Sequence, residues 1–300
     1  MREAKITIVT PTFNRAHTLT RVYDSLKNQT FKDFKWIIMD DGSTDSTKEL
    51  VQTFIEEKII DIEYYWNNNA KKFYTVFEGI KKVKSPYFTI LDSDDAYIIE
   101  ALEKMYNVIS QLDESYISAT FNSQFPNGEL VGTLFPNNFS GSILEMRYKY
   151  KVRGDKHTIF CTSKYLDYLK KFDYEMFKGK YAPQKIFFNQ YDGNGEKSKF
   201  VNDKIRIYYQ DENDLASMSN DRVKPSSYLG LMEGHKSFLN SYRNQLWKYP
   251  KALIRNLIGY QVYSILNKRN LCVINKELKS FKLLSIIIYP LSLTYTKIKA

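Results

Sequence analysis

Residues 6–112 alternate between short β-type runs and apolar stripes of helical spacing, and few folds accept that rhythm. Residues 6–10 (Ile-Thr-Ile-Val-Thr) form a near-continuous run, as expected of a strand covered on both faces, and Pro11 stops it. Leu19, Val22, Tyr23 and Leu26 then recur at helical spacing. Residues 34–39 read as a second strand. Ser46 and Glu49 fit a capping box, opening a helix whose face is Leu50, Val51, Phe54 and Ile55. Ile60, Ile62, Tyr64 and Trp66 alternate as a third strand, and Phe73, Val76, Phe77, Ile80 and Val83 give the next stripe. Residues 87–91 form a fourth strand, and a helix follows with Leu102, Met105, Val108, Ile109 and Leu112. Repeated strand–helix units predict an α/β fold: a mostly parallel, Rossmann-like sheet with helices on both faces.

In such sheets ligands bind beyond the carboxyl ends of the strands, and the polar residues gather there. The first strand opens into Pro11, Thr12, Phe13, Asn14 and Arg15; the second ends in Asp40, Asp41, Gly42 and Ser43. The third ends in Asn67, Asn68 and Asn69, and the fourth in Asp92, Ser93, Asp94 and Asp95. Four polar ends predict one shared crevice. Acids packed beside an apolar strand repel one another, and a divalent cation relieves that cost. Oxygen-only ligands suit Mg²⁺ or Mn²⁺, which bridge carboxylates to substrate phosphates. A helix N-terminus capped by Ser93 or Asp94 is the competing account of the same acids. Two adjacent acids, Asp40 and Asp41, exceed what a turn needs. Lys72 is either a solvated helix residue or a charge that balances phosphate.

Apolar residues make up 43% of the 300 and charged residues 26%, which excludes wholesale disorder. Cys161 and Cys272 make no disulfide framework, and His17, His157 and His235 are too scattered for a zinc site. No signal-peptide pattern and no run of about 18 apolar residues is present, so the expectation is a protein of a reducing compartment without an ordinary membrane span. The net charge of +10 is uneven. Residues 222–300 hold 14 Lys and Arg against Glu233 and Glu277, which is +12 there and −2 in the rest. That split predicts a body at 1–220 and a basic helical extension at 221–300, with a linker near 220–227.

The ordered motifs Pro11-Thr12-Phe13-Asn14-Arg15, Asp-Asp-Gly-Ser-Thr-Asp at 40–45 and Leu-Asp-Ser-Asp-Asp at 91–95 resemble glycosyltransferase family 2, with the GT-A fold. The resemblance is specific over about residues 5–100 and looser over 101–220. It implies a hexosyl- or N-acetylhexosaminyltransferase. Such an enzyme uses a nucleotide-sugar donor, usually a UDP-sugar, and Mn²⁺ or Mg²⁺, and inverts the anomeric carbon. Carried over by motif, Pro11, Thr12, Asn14 and Arg15 belong to the nucleotide-binding loop, and Asp40 and Asp41 sit near the base or ribose. Lys72 and Ser93 lie on the nucleotide side. Asp94 is the leading metal ligand, with Asp92 nearer the ribose or metal. The later half resembles the family at Arg153-Gly154-Asp155-Lys156-His157. In the following piece, residues 179–184, Gly179 and Gln184 stand where the family has Glu. Gln cannot be a base, so Asp155 is the candidate, with Glu175 as another acid. A non-catalytic nucleotide-sugar-binding relative is the alternative reading. A nucleotidyltransferase fits less well, because no Gly-rich phosphate loop lies near the N-terminus.

Phe125-Pro126-Asn127-Gly128-Glu129 reads as a hairpin turn between strands at 117–122 and 129–135. Residues 208–219 resemble an acidic loop that closes over the donor, or else form a polar surface loop. In the tail, Phe238, Tyr242 and Leu246, then Leu253, Leu257, Tyr260, Tyr263 and Leu266, mark docked helices. Residues 283–293 are apolar but too short to span a bilayer, and Lys279, Lys282, Lys297 and Lys299 flank them. Such flanks favour an anionic cytoplasmic leaflet by about 1 kcal/mol per Lys. The tail therefore predicts peripheral attachment to the inner face of the cell membrane, against a helical subdomain or dimer interface. No nucleic-acid motif accompanies the charge. Membrane proximity suits a saccharide acceptor on a polyprenyl lipid, as in capsule or other surface polysaccharide assembly.

Overall fold

Every residue of β1 (Ile6–Thr12) is buried, and a sheet grows outward from it. β2 (Phe34–Asp40) and β4 (Tyr87–Ile90) flank β1 in parallel, and β3 (Asp61–Trp66) continues beyond β2 as a parallel edge. Past β4 the sheet turns mixed. β8 (Lys156–Cys161) runs antiparallel to both β4 and β6 (Tyr116–Gln124). β9 (Lys197–Ile207) is parallel to β6, while β5 (Ala96–Tyr97) and β7 (Ser140–Gly141) pair antiparallel with β9. The order is β3-β2-β1-β4-β8-β6-β9-β5.

Successive residues of a strand face opposite sides, so β1 serves two cores. Ile6 and Ile8, with Trp36 and Ile38, pack under α1 (Ala16–Lys27), α2 (Thr47–Glu57) and α4 (Ala101–Ile109). Tyr23 and Phe54 stack there with centroids 4.1 Å apart, and Trp36 Nε1 donates to Thr10 Oγ1 at 2.8 Å. Val9 and Met39 face the other way, against Gly79 of α3 (Lys72–Ile80), where a Cβ would come within 2.7 Å of both side chains. α5 (Ile143–Tyr148) is capped by Ser142, and Tyr165 of α6 (Thr162–Leu169) meets Phe88 edge-on at 4.8 Å. Helices thus cover both faces.

The computed structural model describes residues 3–210 and 224–299, and the chain divides into two compact units. Residues 3–173 and 196–210 form the sheet unit just described. The second unit joins Tyr174–Gly195 to residues 224–299. It holds α7 (Lys185–Gly193), α8 (Tyr228–Ser241), α9 (Pro250–Leu266), α10 (Leu271–Glu277) and α11 (Lys282–Lys299). The sequence placed 174–195 with the body, whereas contacts place it with the tail helices. Two glycines give the reason. A Cβ on Gly230 would lie 2.0 Å from the Tyr181 carbonyl oxygen, and one on Gly193 would lie 2.6 Å from that of Ser241. Backbones meet directly at both points, and Tyr242 donates to the buried Asp192 carboxylate at 2.6 Å. The basic tail also uses its acids internally. Glu277 accepts from Arg269 at 2.6 Å, Tyr260 at 2.8 Å and Lys236 at 3.2 Å, and Glu233 accepts from Lys236 at 2.6 Å.

Local expectations differ at three points. β1 runs through Pro11 to Thr12 instead of stopping at the proline. The capping box at Ser46 does not form: Asp45 instead accepts from the Thr47 N–H at 3.1 Å and its hydroxyl at 2.6 Å. Ser46 sits at φ −75°, ψ 19°, outside the extended conformation from which a capping hydroxyl reaches the first turn. The turn at 125–129 closes, with Phe125 N–H on the Glu129 carbonyl at 2.8 Å, but the second strand reduces to one bridge, Gln124 to Leu130. Residues 211–219 of the expected acidic loop, and 220–223 of the expected linker, lie outside the described residues. Among the described residues no helix is long and apolar enough to cross a membrane.

Candidate active site

The carboxyl ends of β1 and β2 are laced together by the residues singled out for nucleotide binding. Asp41 N–H donates to the Thr12 carbonyl at 2.8 Å. Asn14 adopts φ 52°; its N–H donates to Ser43 Oγ at 2.8 Å, and its Oδ1 accepts from Thr44 N–H at 2.8 Å. Arg15 is buried and precedes α1, with its N–H on Thr47 Oγ1 at 3.2 Å. Pro11 and Thr12 are buried too, and the Thr12 hydroxyl has no hydrogen-bond partner among the described residues. Asp40 accepts from Ser43 N–H at 2.7 Å and the Tyr64 hydroxyl at 2.6 Å. Asp41 accepts from Ala70 N–H at 2.7 Å and the Thr75 hydroxyl at 2.6 Å, yet burial still pushes its carboxyl above the usual range. Gly42 turns the chain at φ 89°, where a Cβ would meet Asn69 N at 2.9 Å. Both acids therefore brace loops, a structural duty the pattern at 40–43 did not reveal.

The acids after β4 do converge. Asp92, Asp94 and Asp95 each offer an oxygen within 4.8 Å of the others. Lys72, the first residue of α3, donates to Asp92 at 2.7 Å. Burial works against both charges of that pair, but their mutual attraction wins: the lysine is held above its usual range and Asp92 below its own. Asp94 is raised, by burial first and then by the charge of Asp92. Asp95 is pushed up to about 7, burial outweighing the nearby Arg206 guanidinium. Ser93 is buried between them, and its carbonyl accepts from Thr18 Oγ1 at 2.8 Å. Arg21 donates to the Asp94 carbonyl at 2.9 Å and stacks 3.7 Å over the Tyr209 ring. Three crowded carboxylates, of which Asp94 and Asp95 are shifted toward the protonated form, fit a divalent cation, and an all-oxygen set fits Mg²⁺ or Mn²⁺.

Asp155 joins this cluster through a residue that the sequence reading passed over. Arg206 of β9 is buried, with NH1 3.2 Å from Asp95 Oδ2 and NH2 3.2 Å from Asp155 Oδ2. Its Nε donates to Ser123 Oγ at 3.0 Å. Register delivers it there: Arg206 stands opposite both Tyr97 of β5 and Ser123 of β6. Asp155 remains 56% exposed. Its loop meets the facing loop backbone to backbone, and Lys156 Nζ donates to the Thr133 carbonyl across the same gap at 2.7 Å. Gly132 and Gly154 have φ of 84° and 91°, and a Cβ on either would lie 2.2 Å from a carbonyl oxygen of the facing loop. Behind them, His157 Nε2 lies 2.6 Å from the Tyr97 hydroxyl and 2.8 Å from Thr89 Oγ1. Burial, reinforced by Arg206, keeps this histidine neutral, well below its ordinary value. The remaining candidates, Glu175, Gly179 and Gln184, belong to the second unit. The only local sign of Arg206 was a lone arginine between Ile205 and Ile207.

Comparison with known proteins agrees with this arrangement. The profile of the family described as Glycosyl transferase family 2 matches residues 7–168, more than half of the chain. The chain is 29% identical over 249 residues to the GalNAc(5)-diNAcBac-PP-undecaprenol beta-1,3-glucosyltransferase of Campylobacter jejuni subsp. jejuni serotype O:2, covering 80% of this chain and 75% of that one. S. aureus TarS 1-349 in complex with UDP-GlcNAc superposes with a TM-score of 0.65 at 18% identity, over 98% of this chain and 88% of the other. The mannosyltransferase PcManGT of Pyrobaculum calidifontis, in complex with GDP-Man and Mn²⁺, superposes with a TM-score of 0.58 at 12% identity, over 99% and 84%. At such identities the two structures speak for the fold, which is GT-A. The matched profile spans β1 to α6, from the loop after β1 through the aspartates to Asp155, and on that match the chain belongs to glycosyl transferase family 2 and is a glycosyltransferase.

Proposed function

We propose that the chain moves a sugar from a UDP-sugar to a saccharide acceptor, with inversion and with a divalent cation. We take the acceptor to be carried on a polyprenyl lipid at the inner face of a bacterial membrane, during assembly of a surface polysaccharide. One observation carries the reading: Asp92, Asp94 and Asp95 stand within 4.8 Å of one another beside Lys72, and Arg206 ties them to a half-exposed Asp155. The structural neighbours bind UDP-GlcNAc, or GDP-Man with Mn²⁺, and the Campylobacter relative is named for an undecaprenol-linked substrate.

Asp94, with Asp92, would hold the cation, which would supply charge to the departing diphosphate. Lys72 adds a fixed positive charge beside Asp92. Asp155 takes the proton of the acceptor hydroxyl while that oxygen attacks the anomeric carbon and the bond to phosphate breaks. Arg206 holds the carboxylate through Oδ2 and keeps its geometry.

Thermal shift with UDP, GDP, CMP and UDP-sugars, each in Mn²⁺, Mg²⁺ or EDTA, tests the donor side. Saturation at a hundred times Kd stabilises a protein by about 2.7 kcal/mol. A UDP-sugar shift that is lost in EDTA and in Asp94→Ala is the expected result. An equal shift in EDTA, or in the variant, removes the metal assignment.

A further inference from the structure

Helix α11 is built inside out. Its buried positions include Ser285 and Ser292, while Leu283, Ile286, Ile287 and Leu291 are exposed, Leu283 at 73% and Ile287 at 66%. At about 100° per residue these four, with Pro290, form one continuous stripe. Ser285 and Ser292 lie on the opposite side. A helix that only docks on a protein turns its apolar face inward, and here that face is turned out.

The inner contact explains what holds this orientation. Gln261 of α9 is fully buried; its Nε2 donates to the Ser285 carbonyl at 2.7 Å and lies 2.8 Å from Ser285 Oγ. Ser292 Oγ donates to Gln261 Oε1 at 2.6 Å. Rotating the stripe inward would break all three bonds and leave a buried amide unpaired. The polar seam thus locks the helix with Leu283, Ile286, Ile287 and Leu291 facing solvent.

The surroundings say what covers the stripe. Lys282 and Lys297 lie exposed at either end, and Lys279 just precedes the helix. Glu233 and Glu277 are spent in ion pairs with Lys236 and Arg269. Trp247 is 68% exposed and packs against Phe281, at the foot of α11, with centroids 5.0 Å apart. Aliphatic stripe, basic flanks and an exposed indole are what an anionic lipid interface accepts. A second copy would instead bring a segment of +12 against one of the same charge. We propose that α11 lies flat in an anionic leaflet, with Leu283, Ile286, Ile287 and Leu291 inserted among the lipid chains. This deepens the membrane-side reading above and names the surface that realises it.

The test is co-sedimentation of the full chain with phosphatidylcholine vesicles, with and without phosphatidylglycerol, in the absence of donor. Binding should require the anionic lipid and weaken with salt. The double variant Ile287→Asp, Leu291→Asp should lose at least tenfold in partitioning while its melting temperature and UDP-sugar shift stay unchanged. Lys282→Glu with Lys297→Glu should weaken binding to the anionic vesicles. Unaltered partitioning of the aspartate variant overturns the proposal, and so does equal binding to both lipids. A dimer that the aspartates dissociate, without vesicle binding, overturns it in favour of self-association. Vesicle binding is read without donor, so failure of the transfer reading and failure of this one are distinguishable.

Discussion

Replacing Arg206 with Met keeps the length of the side chain and removes the charge that joins Asp95 to Asp155. Arg206 and Asp95 are 6% and 2% exposed, so their pair is a buried one. Deleting one partner of such a pair costs about 3–5 kcal/mol, because the survivor stays buried with its charge. The Asp155 arm is 56% exposed and adds no more than about 1 kcal/mol. Asp95 is already pushed up to about 7, so it can relieve part of the loss by taking a proton. That argues for the lower end, about 3 kcal/mol at neutral pH. At roughly 2–4 °C per kcal/mol for a unit of this size, Tm should fall by about 6–12 °C. Circular dichroism melts of Arg206→Met, Asp95→Asn and the double variant form a cycle. Asp95→Asn should recover part of the loss, giving a coupling of at least about 1 kcal/mol. A single-variant loss under about 1 kcal/mol, or two losses that simply add, would refute the buried-bridge argument.

Other perturbations follow from the same geometry. Asp155→Asn should lower turnover by about 10²–10⁴-fold; unchanged turnover would move the base elsewhere, while donor affinity should hold and Tm should fall by no more than about 4 °C. His157 is neutral when folded, its value well below 6.5, whereas an unfolded chain takes up that proton near 6.5. The unfolded state then binds more protons below that pH, so stability should fall on acidification by up to about 1.4 kcal/mol per pH unit. Subtracting the His157→Gln stability curve from the native one should isolate this slope, and parallel curves between pH 6.5 and 5 would contradict it. Gly230→Ala sets a methyl 2.0 Å from the Tyr181 carbonyl oxygen. It should cost the helical unit about 1–3 kcal/mol, seen as a lower first transition in a denaturant melt.

The parallel half of the sheet was legible because its periodicity is local: β1 to β4 and α1 to α4 each announce themselves within a dozen residues. The aspartate cluster was legible for the same reason, since three of its acids lie within four positions. Arg206 was not, because its meaning arises from the register of β9 against β5 and β6, strands separated from it by more than 80 residues. Asp40 and Asp41 show what a local reading leaves out, which is the internal duty these carboxylates carry. Their sequence shows two adjacent acids, and only the fold shows that Tyr64 and Ser43 donate to Asp40, and Ala70 and Thr75 to Asp41. For α11 the composition revealed the apolar content, but the bonds of Gln261 to Ser285 and Ser292, which fix the way it faces, arise only in the fold.

The interleaving of the two units has a consequence for synthesis on the ribosome. The strand that completes the sheet, β9, ends at Ile207, so the first unit has all its strands once that residue is made. The segment Tyr174–Gly195 emerges earlier but finds its backbone partners only in α8, which ends at Ser241. At roughly 5–20 residues per second the nascent chain must carry Ile186, Phe187 and Tyr191 uncovered for some seconds. A chain cut near residue 220 would keep them uncovered for good. The natural minimal unit therefore runs past the sheet, and the helices that follow are a condition for the solubility of what precedes them.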